Sequence, residues 1–299
     1  MAIERDLRGV YVPLVTPFAA DGSVALDAIE RMANRYLDAG VAGLVPLGTT
    51  GESPLLDAGE KRSVIEVVAR VCTERHAQLI VGAGTNNTAS TVAAVEALGE
   101  VAAVTHALVV SPYYLRPSQR GLLEHFRTVA GASPVPVVLY NIPSRTGVTI
   151  EADTMLELAS VPNIAGVKQA VNGIDAATLR ILAEAPPTFA LLGGDDPYLL
   201  PTVLVGGTGA ICASAHVCTE RFVAMIECGL AGKVDEGRAH HEALLPVVQA
   251  CFAEPNPAVF KGVLHRQGLI PTPDVRLPLV NASEAAVDRA LAAIATASS

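Results

Sequence analysis

The stretch VPVVLYNIP, residues 135–143, is an apolar, β-branched run that ends in a tyrosine, an asparagine and a proline. Its apolar residues follow one another without polar alternation, which is typical of a parallel strand buried on both faces. A second run of this kind, NIAGVKQA at residues 163–170, follows after a segment long enough to hold a helix. Two such runs with a helical segment between them predict a β-α-β unit.

The same alternation extends outward in both directions, and it gives eight strand candidates in all. They lie at residues 9–18, 43–50, 79–85, 106–114, 135–143, 163–170, 189–196 and 209–215. The segments between them are rich in alanine and leucine, with apolar residues at helical spacing and acids near the start. Eight β-α units predict an α/β fold of the (β/α)8 TIM-barrel type.

No further strand is predicted after residue 215. Residues 219–299 have a helical pattern, which PNP (255–257) and PTPDVRLP (271–278) interrupt. We expect residues 1–218 to form the barrel through strand eight. We expect residues 219–299 to add the last barrel helix and a C-terminal helical extension within the same structural unit, because no linker or low-complexity tract separates them.

Composition excludes several classes of protein. Hydrophobic residues make up 51% of the 299 residues, which is enough for a large core and excludes a disordered chain. A formal net charge of −9 argues against a nucleic-acid partner, since phosphate binding needs a basic face. The five cysteines form no C-x-x-C pair, and the N-terminus has no apolar signal, so we expect a cytoplasmic protein.

A membrane location is not expected either. Residues 197–215 carry no charge, but two prolines and the Gly206–Gly207 pair interrupt the stretch. It therefore fits a buried helix, a turn and a buried strand better than a membrane span.

Polar side chains lie where most strand candidates end. They include Thr49–Thr50, Tyr113–Tyr114, Tyr140–Asn141, Lys168, Asp195–Asp196 and Ser214–His216. In TIM barrels the carboxyl ends of the strands form the active-site face. Each single residue could equally be a helix N-cap, so the prediction of a site rests on the whole set.

Lys168 ends the sixth strand candidate. Burial there disfavours the charged form of the amine, and a neutral amine can attack a ketone to form a Schiff base. The alternative is a structural ion pair with an acid such as Asp195, and position alone does not decide between the two. Tyr140 favours catalysis, because it ends the preceding strand and a phenol can transfer protons during imine formation. Thr49 and Tyr114 can extend such a proton relay.

The remaining lysines are Lys61, Lys233 and Lys261, and we expect all three ammonium groups to reach solvent from helical segments. VGAGTNNT, residues 81–88, lacks the third glycine of a dinucleotide fingerprint. The seven histidines are scattered and form no H-E-x-x-H motif. Neither a nucleotide site nor a metal site is predicted.

Six motifs, taken in chain order, resemble one known family. They are GTTGES (48–53), SPYYLRPSQRGLLEHF (111–126), YNIPSRTG (140–147), GVKQA (166–170), GDD (194–196) and EPNPAVFKGVL (254–264). Together they resemble the pyruvate-dependent class I aldolases of the dihydrodipicolinate synthase and N-acetylneuraminate lyase family. The likeness extends from about residue 14 to residue 279.

The resemblance implies a catalytic group. It implies that Lys168 forms an imine with pyruvate, that Tyr140 and Thr49 form a proton relay, and that Tyr114 completes this relay from a neighbouring subunit. It further implies that the chain needs no metal and no organic cofactor, and that it forms a homo-oligomer, either a tetramer or a dimer.

The resemblance also implies how substrates bind. Thr50 would bind the pyruvate carboxylate through its hydroxyl and backbone N–H, and the main-chain carbonyl of Ile211 would line the same pocket. Arg145 can hold a carboxylate in two parallel bonds, unless it only bonds nearby loop carbonyls. It favours the branch of the family that condenses pyruvate with L-aspartate 4-semialdehyde to 4-hydroxy-tetrahydrodipicolinate in lysine and diaminopimelate biosynthesis.

Two positions depart from the pattern of that branch. Leu115 replaces a polar residue, often asparagine, and Gln169 replaces the commoner acid. Both favour an alternative, another pyruvate-imine aldolase or dehydratase acting on a sugar acid or hydroxy-oxo acid. A further alternative is a barrel that binds an oxo acid without turnover.

Regulation by lysine is not expected. Members of the family that lysine inhibits carry a histidine pair and an acid at positions that here correspond to Ala58, Lys61 and Ser90, while Asn86 and Tyr113 remain. Lys61 would repel the ammonium group of a bound lysine. The resemblance therefore implies weak or absent feedback inhibition.

Overall fold

The computed structural model describes residues 7–298, and its strands form one closed parallel barrel. Each strand pairs with the next in chain order, and the eighth pairs with the first. The strands are β1 (Gly9–Val12), β2 (Gly43–Leu44), β3 (Gln78–Gly82), β4 (His106–Val110), β5 (Val137–Asn141), β6 (Ile164–Gln169), β7 (Ala190–Gly193) and β8 (Gly209–Ile211). The predicted TIM barrel is confirmed.

The helices surround the barrel and continue beyond it. They are α1 (Leu26–Asp38), α2 (Ala58–Arg75), α3 (Thr88–Ala97), α4 (Gln119–Ala132), α5 (Pro143–Thr146), α6 (Ala152–Ala159), α7 (Ala176–Glu184), α8 (Leu199–Leu204), α9 (Thr219–Leu230), α10 (Val234–Cys251), α11 (Ala258–Arg266) and α12 (Glu284–Ser298). The uncharged stretch 197–215 holds α8 and β8, as predicted. Within residues 7–298, no helix combines the length and the apolar character that crossing a membrane requires.

Side chains alternate between two hydrophobic layers along each strand. In β5, Val137 and Leu139 pack under the helices, whereas Val138 and Tyr140 belong to the cluster inside the barrel. This alternation follows from the two-residue period of an extended strand. Continuous apolar strands are therefore required, because both faces of the barrel wall are buried.

Several helices begin at residues whose side chains satisfy free backbone N–H groups. Asp57 and Glu60 form a reciprocal capping box at the start of α2. Asn87, Ser118 and Asp175 cap α3, α4 and α7 in the simpler one-bond form. The threonines after β2 cap no helix, so the N-cap alternative does not hold for them.

The environment of Lys261, in the C-terminal helices, differs from the sequence-based expectation. Lys261, in α11, was expected to reach solvent, but its side chain is 0% exposed and its Nζ donates a hydrogen bond to Glu52. The helical period does place Lys261 on one face of α11, but that face packs onto the barrel. Its acidic partner lies 209 positions earlier in the chain, so no local pattern could indicate the pair.

His216 follows β8 and joins two parts of the barrel's carboxyl end. Its Nε2 accepts a hydrogen bond from the backbone N–H of Val15 at 3.1 Å, so its Nδ1 carries the proton and donates to the carbonyl of Ala213 at 2.7 Å. The ring stacks edge-on against Tyr36 at 5.3 Å between ring centroids. Both ring nitrogens are used, and the role of His216 is structural.

His216 should make the stability of the protein depend on pH. Burial lowers the pKa of His216 to about 4, below its value of about 6.5 in the unfolded chain. Above about pH 6.5 the imidazole is neutral in both the folded and the unfolded chain. As the pH falls from about 6.5 to about 4, only the unfolded chain gains the proton, so the stability of the fold decreases over this range. Between about pH 7 and pH 5, native protein should lose roughly 2 kcal/mol more unfolding free energy than the H216Q variant.

Urea unfolding of both proteins at the two pH values, at one protein concentration, measures this difference. Other titrating groups cancel in the comparison because both proteins carry them. The same loss in H216Q as in the native protein would contradict the assignment of a neutral, buried imidazole.

Candidate active site

A cavity of about 250 Å³ opens where strands β2 to β5 end. Its walls come from the ends of these strands and the segments that follow them. It collects six polar side chains: Thr49, Ser53, Tyr113, Tyr140, Arg145 and Thr146. Aliphatic hydroxyl groups, phenol groups and a guanidinium group thus share one small cavity with apolar walls. This combination is typical of a site for a small anionic ligand.

Lys168 and Tyr140 form the core of the site. They are directly paired in the register of β5 and β6, so both side chains point into the barrel. Lys168 is 6% exposed and Tyr140 is 5% exposed, and Lys168 Nζ lies 4.3 Å from the centre of the Tyr140 ring. Tyr140 lines the cavity, whereas Lys168 lies behind it against the ring.

The acids near Lys168 are held by backbone groups. Asp195 Oδ2 accepts a hydrogen bond from the N–H of Asn172 at 2.6 Å, and Asp196 Oδ2 accepts one from the N–H of Ser214 at 2.7 Å. Burial raises the pKa of both carboxyl groups. Among residues 7–298, no carboxylate forms an ion pair with Lys168, so the structural ion-pair alternative with Asp195 does not hold.

Gly194, the first residue of the GDD motif, is a residue of the site that the sequence patterns did not single out. A Cβ atom at this position would lie 2.9 Å from Cγ and 3.0 Å from Cε of Lys168. The absence of a side chain therefore leaves room for the lysine stem. The sequence signal was the double glycine at the end of β7, where a strand approaches another group closely.

The two threonines lie in a tight turn after β2. Residues Thr49–Gly51 form a single 3-10 turn, which the N–H of Glu52 closes by donating to the carbonyl of Thr49 at 3.1 Å. Thr49 lines the cavity, and its hydroxyl makes no hydrogen bond within the described part of the chain. Thr50 is 3% exposed, and its hydroxyl accepts a bond from the side-chain amide of Asn256 at 3.0 Å.

Asn256 was missed by the sequence reasoning, although it lies in the quoted EPNP motif. It precedes α11, far along the chain from the threonine turn. Thr49 and Tyr140 were predicted to form a relay, and the structure brings both to the same cavity without a hydrogen bond between them.

Arg145 lies on the one-turn helix α5, and its side chain is exposed at the cavity. Within residues 7–298 its guanidinium group forms neither an ion pair nor a hydrogen bond to a carbonyl. The alternative of an arginine that only bonds loop carbonyls is therefore not what the structure shows. A cation without a partner at the rim of a cavity is suited to a carboxylate ligand.

Tyr114 lies outside the cavity of its own chain. Its backbone has φ of +73°, and 86% of the side chain is exposed, whereas its neighbour Tyr113 lines the cavity. Ile211, in β8, is fully buried in the inner cluster and does not line the cavity. Neither predicted site residue therefore reaches the cavity directly within one chain.

The two departures from the family pattern also lie away from the cavity. Leu115 is exposed beside Tyr114. Gln169 follows Lys168 and points outward, where its Oε1 accepts from Asn141 Nδ2 at 3.0 Å and its Nε2 donates to Thr178 Oγ1 at 3.0 Å. Neither residue lines the cavity in the structure of one chain.

Residues 7–298 contain no cluster of three or more histidine, cysteine, aspartate or glutamate side chains able to hold a metal ion. All five cysteines are free thiols. The site is thus built from an amine, hydroxyl groups and a guanidinium group.

Comparison with known proteins places this site in a family. The model of the dihydrodipicolinate synthetase family matches residues 6–297. The 4-hydroxy-tetrahydrodipicolinate synthase of Moorella thermoacetica is 43% identical, over 95% of this chain and 96% of that protein.

Two solved structures agree closely with the fold. Dihydrodipicolinate synthase from Thermotoga maritima has a TM-score of 0.94 at 32% identity, covering 98% of this chain and 99% of the other. The enzyme from Cyanidioschyzon merolae, with lysine bound, has a TM-score of 0.93 at 32% identity and 99% coverage of both chains. The fold and the site define the class of protein, a (β/α)8 barrel with a buried lysine beside a tyrosine. The chain belongs to the dihydrodipicolinate synthetase family. The resemblance seen in the six motifs is confirmed.

Proposed function

We propose that this chain is a 4-hydroxy-tetrahydrodipicolinate synthase, a lyase that condenses pyruvate with L-aspartate 4-semialdehyde. The proposal is carried by the position of Lys168, a buried amine that forms no ion pair within residues 7–298 and lies against the ring of Tyr140 at a small cavity. Relatives of this name that match nearly the whole chain support the choice of reaction.

The first half of the reaction forms an enamine. The amine of Lys168 attacks the keto carbon of pyruvate, and loss of water gives an imine. Tyr140 moves the protons that this addition and elimination require, and Thr49 relays them. Thr50 binds the pyruvate carboxylate through its hydroxyl and N–H. Loss of a proton from the methyl group then gives the enamine.

The second half forms the carbon–carbon bond. The enamine carbon attacks the aldehyde of L-aspartate 4-semialdehyde, whose carboxylate Arg145 holds. The amino group of the second substrate then attacks the imine carbon. This closes the ring and releases Lys168 by transimination. The lysine is therefore unchanged after each cycle, and no metal or organic cofactor takes part.

Tyr114 supports a proposal about quaternary structure. Its exposed side chain, held out by a left-handed backbone, is suited to enter the site of a second copy. We therefore propose a homo-oligomer, a tetramer or a dimer, in which Tyr114 completes the relay of its neighbour. Ile211 would line the pyruvate pocket through its main-chain carbonyl. The two proposed substrates are small metabolites, which fits action in the cytoplasm.

Replacing Lys168 by alanine should abolish the reaction. Loss of the covalent intermediate should lower the condensation rate by at least roughly 10³-fold. Incubation with pyruvate and borohydride, followed by mass spectrometry of the peptides, should show a reduced adduct on Lys168 of native protein and none in K168A.

A matched control is K233A, which removes an exposed lysine that forms a surface ion pair with Glu236. It should keep both the adduct and the rate. Native protein that forms no adduct would favour a barrel that binds oxo acids without turnover.

Replacing Arg145 by alanine should separate the two substrates. A charge-assisted bidentate contact is worth about 1.5–3 kcal/mol, so KM for L-aspartate 4-semialdehyde should rise roughly 10- to 10²-fold. The pyruvate adduct should form as in native protein. R120A removes an exposed arginine outside the cavity and should leave both substrates unaffected.

The same assay with a panel of sugar-acid and hydroxy-oxo-acid substrates tests the rival activities. An unchanged KM in R145A, or a panel substrate used better than aspartate semialdehyde, would reassign the second substrate.

Lysine should inhibit this protein weakly or not at all. Ala58 and Lys61 lie in the first turn of α2, and Ser90 lies in α3, so the corresponding histidine pair and acid are absent. An inhibition curve with added L-lysine measures the effect, and inhibition in the micromolar range would contradict the prediction. The variant A58H/K61H/S90E restores the missing groups and should be more sensitive to lysine than native protein.

A further inference from the structure

The C-terminal helices hold the threonine turn through two side chains. Asn256 donates to the hydroxyl of Thr50, and Lys261, five residues later, donates to the carboxylate of Glu52 at 2.5 Å. Glu52 directly follows the Thr49–Gly51 turn. Both contacts reach the turn from beyond the eighth strand, so a part of the chain outside the barrel wall fixes a loop inside the site.

The carboxylate of Glu52 is fully buried and satisfied at both oxygens. Oε1 accepts from Lys261, and Oε2 accepts from the backbone N–H of Arg276 at 2.9 Å. Lys261 also donates to the carbonyl of Asp274 at 2.7 Å. The pair therefore joins three separate segments, the turn after β2, helix α11 and the stretch around residue 275.

Phe18 adds an aromatic contact to this network. Its ring centre lies 4.0 Å from Lys261 Nζ and 4.4 Å from Arg276 Cζ, so two cations face the same ring. Thr272 donates to the carbonyl of Phe18 at 2.8 Å. These contacts restrict the ammonium group of Lys261 to one position, opposite Glu52.

A buried ion pair is weak evidence for a gain in stability, because desolvation of the two charges offsets their attraction. Burial lowers the pKa of Lys261 to about 8, while Glu52 and Asp274 act in the opposite direction. What the pair does supply is a fixed geometry, because a buried charge tolerates few alternative positions for its partner.

The geometry matters at the turn. The N–H of Glu52 closes the turn by donating to the carbonyl of Thr49, and its own backbone is left-handed, with φ of +54°. A shift of the Glu52 side chain would be transmitted through this bond to Thr49 and Thr50. Thr16, which donates to the carbonyl of Gly51 at 2.7 Å, also supports the turn.

We propose that Glu52 and Lys261 are positioning residues, which hold the Thr49–Gly51 turn in its substrate-binding conformation from helix α11. The proposal rests on the proposed function, because it takes Thr49 and Thr50 as residues that contact the substrate. It assigns to the C-terminal extension a part in pyruvate binding, in addition to its packing on the barrel.

The E52Q/K261M double variant tests this assignment. It removes both charges together, so no unpaired charge remains buried. Gln at position 52 can still bond the N–H of Arg276, while Met at position 261 cannot bond the turn. The temperature of unfolding should stay within about 2 °C of native protein. KM for pyruvate should rise, and kcat/KM should fall, by roughly 10- to 10²-fold, since small displacements of positioning groups have effects of this size.

E60Q serves as the matched control. Glu60 pairs with the guanidinium group of Arg276 at the outer end of the same network, and it does not contact the turn. Its loss should lower the unfolding temperature and leave KM for pyruvate unchanged. K261M alone, which leaves Glu52 buried without its cation, should be less stable than the double variant.

The outcomes separate the inference from the function it rests on. If native protein forms the borohydride-trapped adduct and the double variant has native kinetic constants, the positioning role is wrong and the proposed function stands. If the double variant does not fold, the pair is a structural requirement and the inference is equally overturned. If native protein forms no adduct with pyruvate, the proposed function itself fails.

Discussion

The two-residue period of a strand in a closed barrel is the constraint on which the site depends. In β6 it places Lys168 inside the barrel and Gln169 outside, one residue apart. In β5 the same period, combined with the parallel register, places Tyr140 directly beside Lys168. A shift of either strand by one residue would exchange inside and outside, and would bring Gln169 or Asn141 to the cavity in place of the amine or the phenol.

The outward residues Asn141 and Gln169 are buried as well, and their polar groups form hydrogen bonds. Asn141 and Gln169 bond each other across neighbouring strands, and Asn141 also holds the backbone of Ile150 through its side-chain oxygen at 3.0 Å. Ile150 follows the loop that carries Arg145. The outer layer of the barrel wall thus supports the segment that follows Arg145, and Gln169 reaches this segment through Asn141 without lining the cavity.

Local patterns in the sequence were sufficient to predict the barrel and the proximity of Lys168 and Tyr140. The eight apolar runs predicted the strands, and the polar residues at their ends predicted the active-site face, including Lys168 and Tyr140. The orientation of Gln169 was also within reach, because the period that turns Lys168 inward turns the next residue outward.

Contacts between distant segments could not be predicted from local sequence patterns. Lys261 has the spacing of an ordinary amphipathic helix, and only the folded chain shows that its partner is Glu52. The bond from Asn256 to Thr50 joins residues 206 positions apart. No periodicity carries such information, since it is created when α11 packs against the barrel.

These distant contacts and the barrel period serve the same chemistry in different ways. The barrel wall fixes the amine and the phenol by backbone register, which is rigid because each strand bonds two neighbours. The threonine turn begins at Thr49, after β2 has ended at Leu44, so it lies outside the strand register. Its side-chain supports come from other segments: Thr16 bonds Gly51, Asn256 bonds Thr50 and Lys261 bonds Glu52. Under the proposed positioning role, the barrel wall sets the position of the amine and α11 sets that of the turn, so a change in α11 would act on the turn without displacing Lys168.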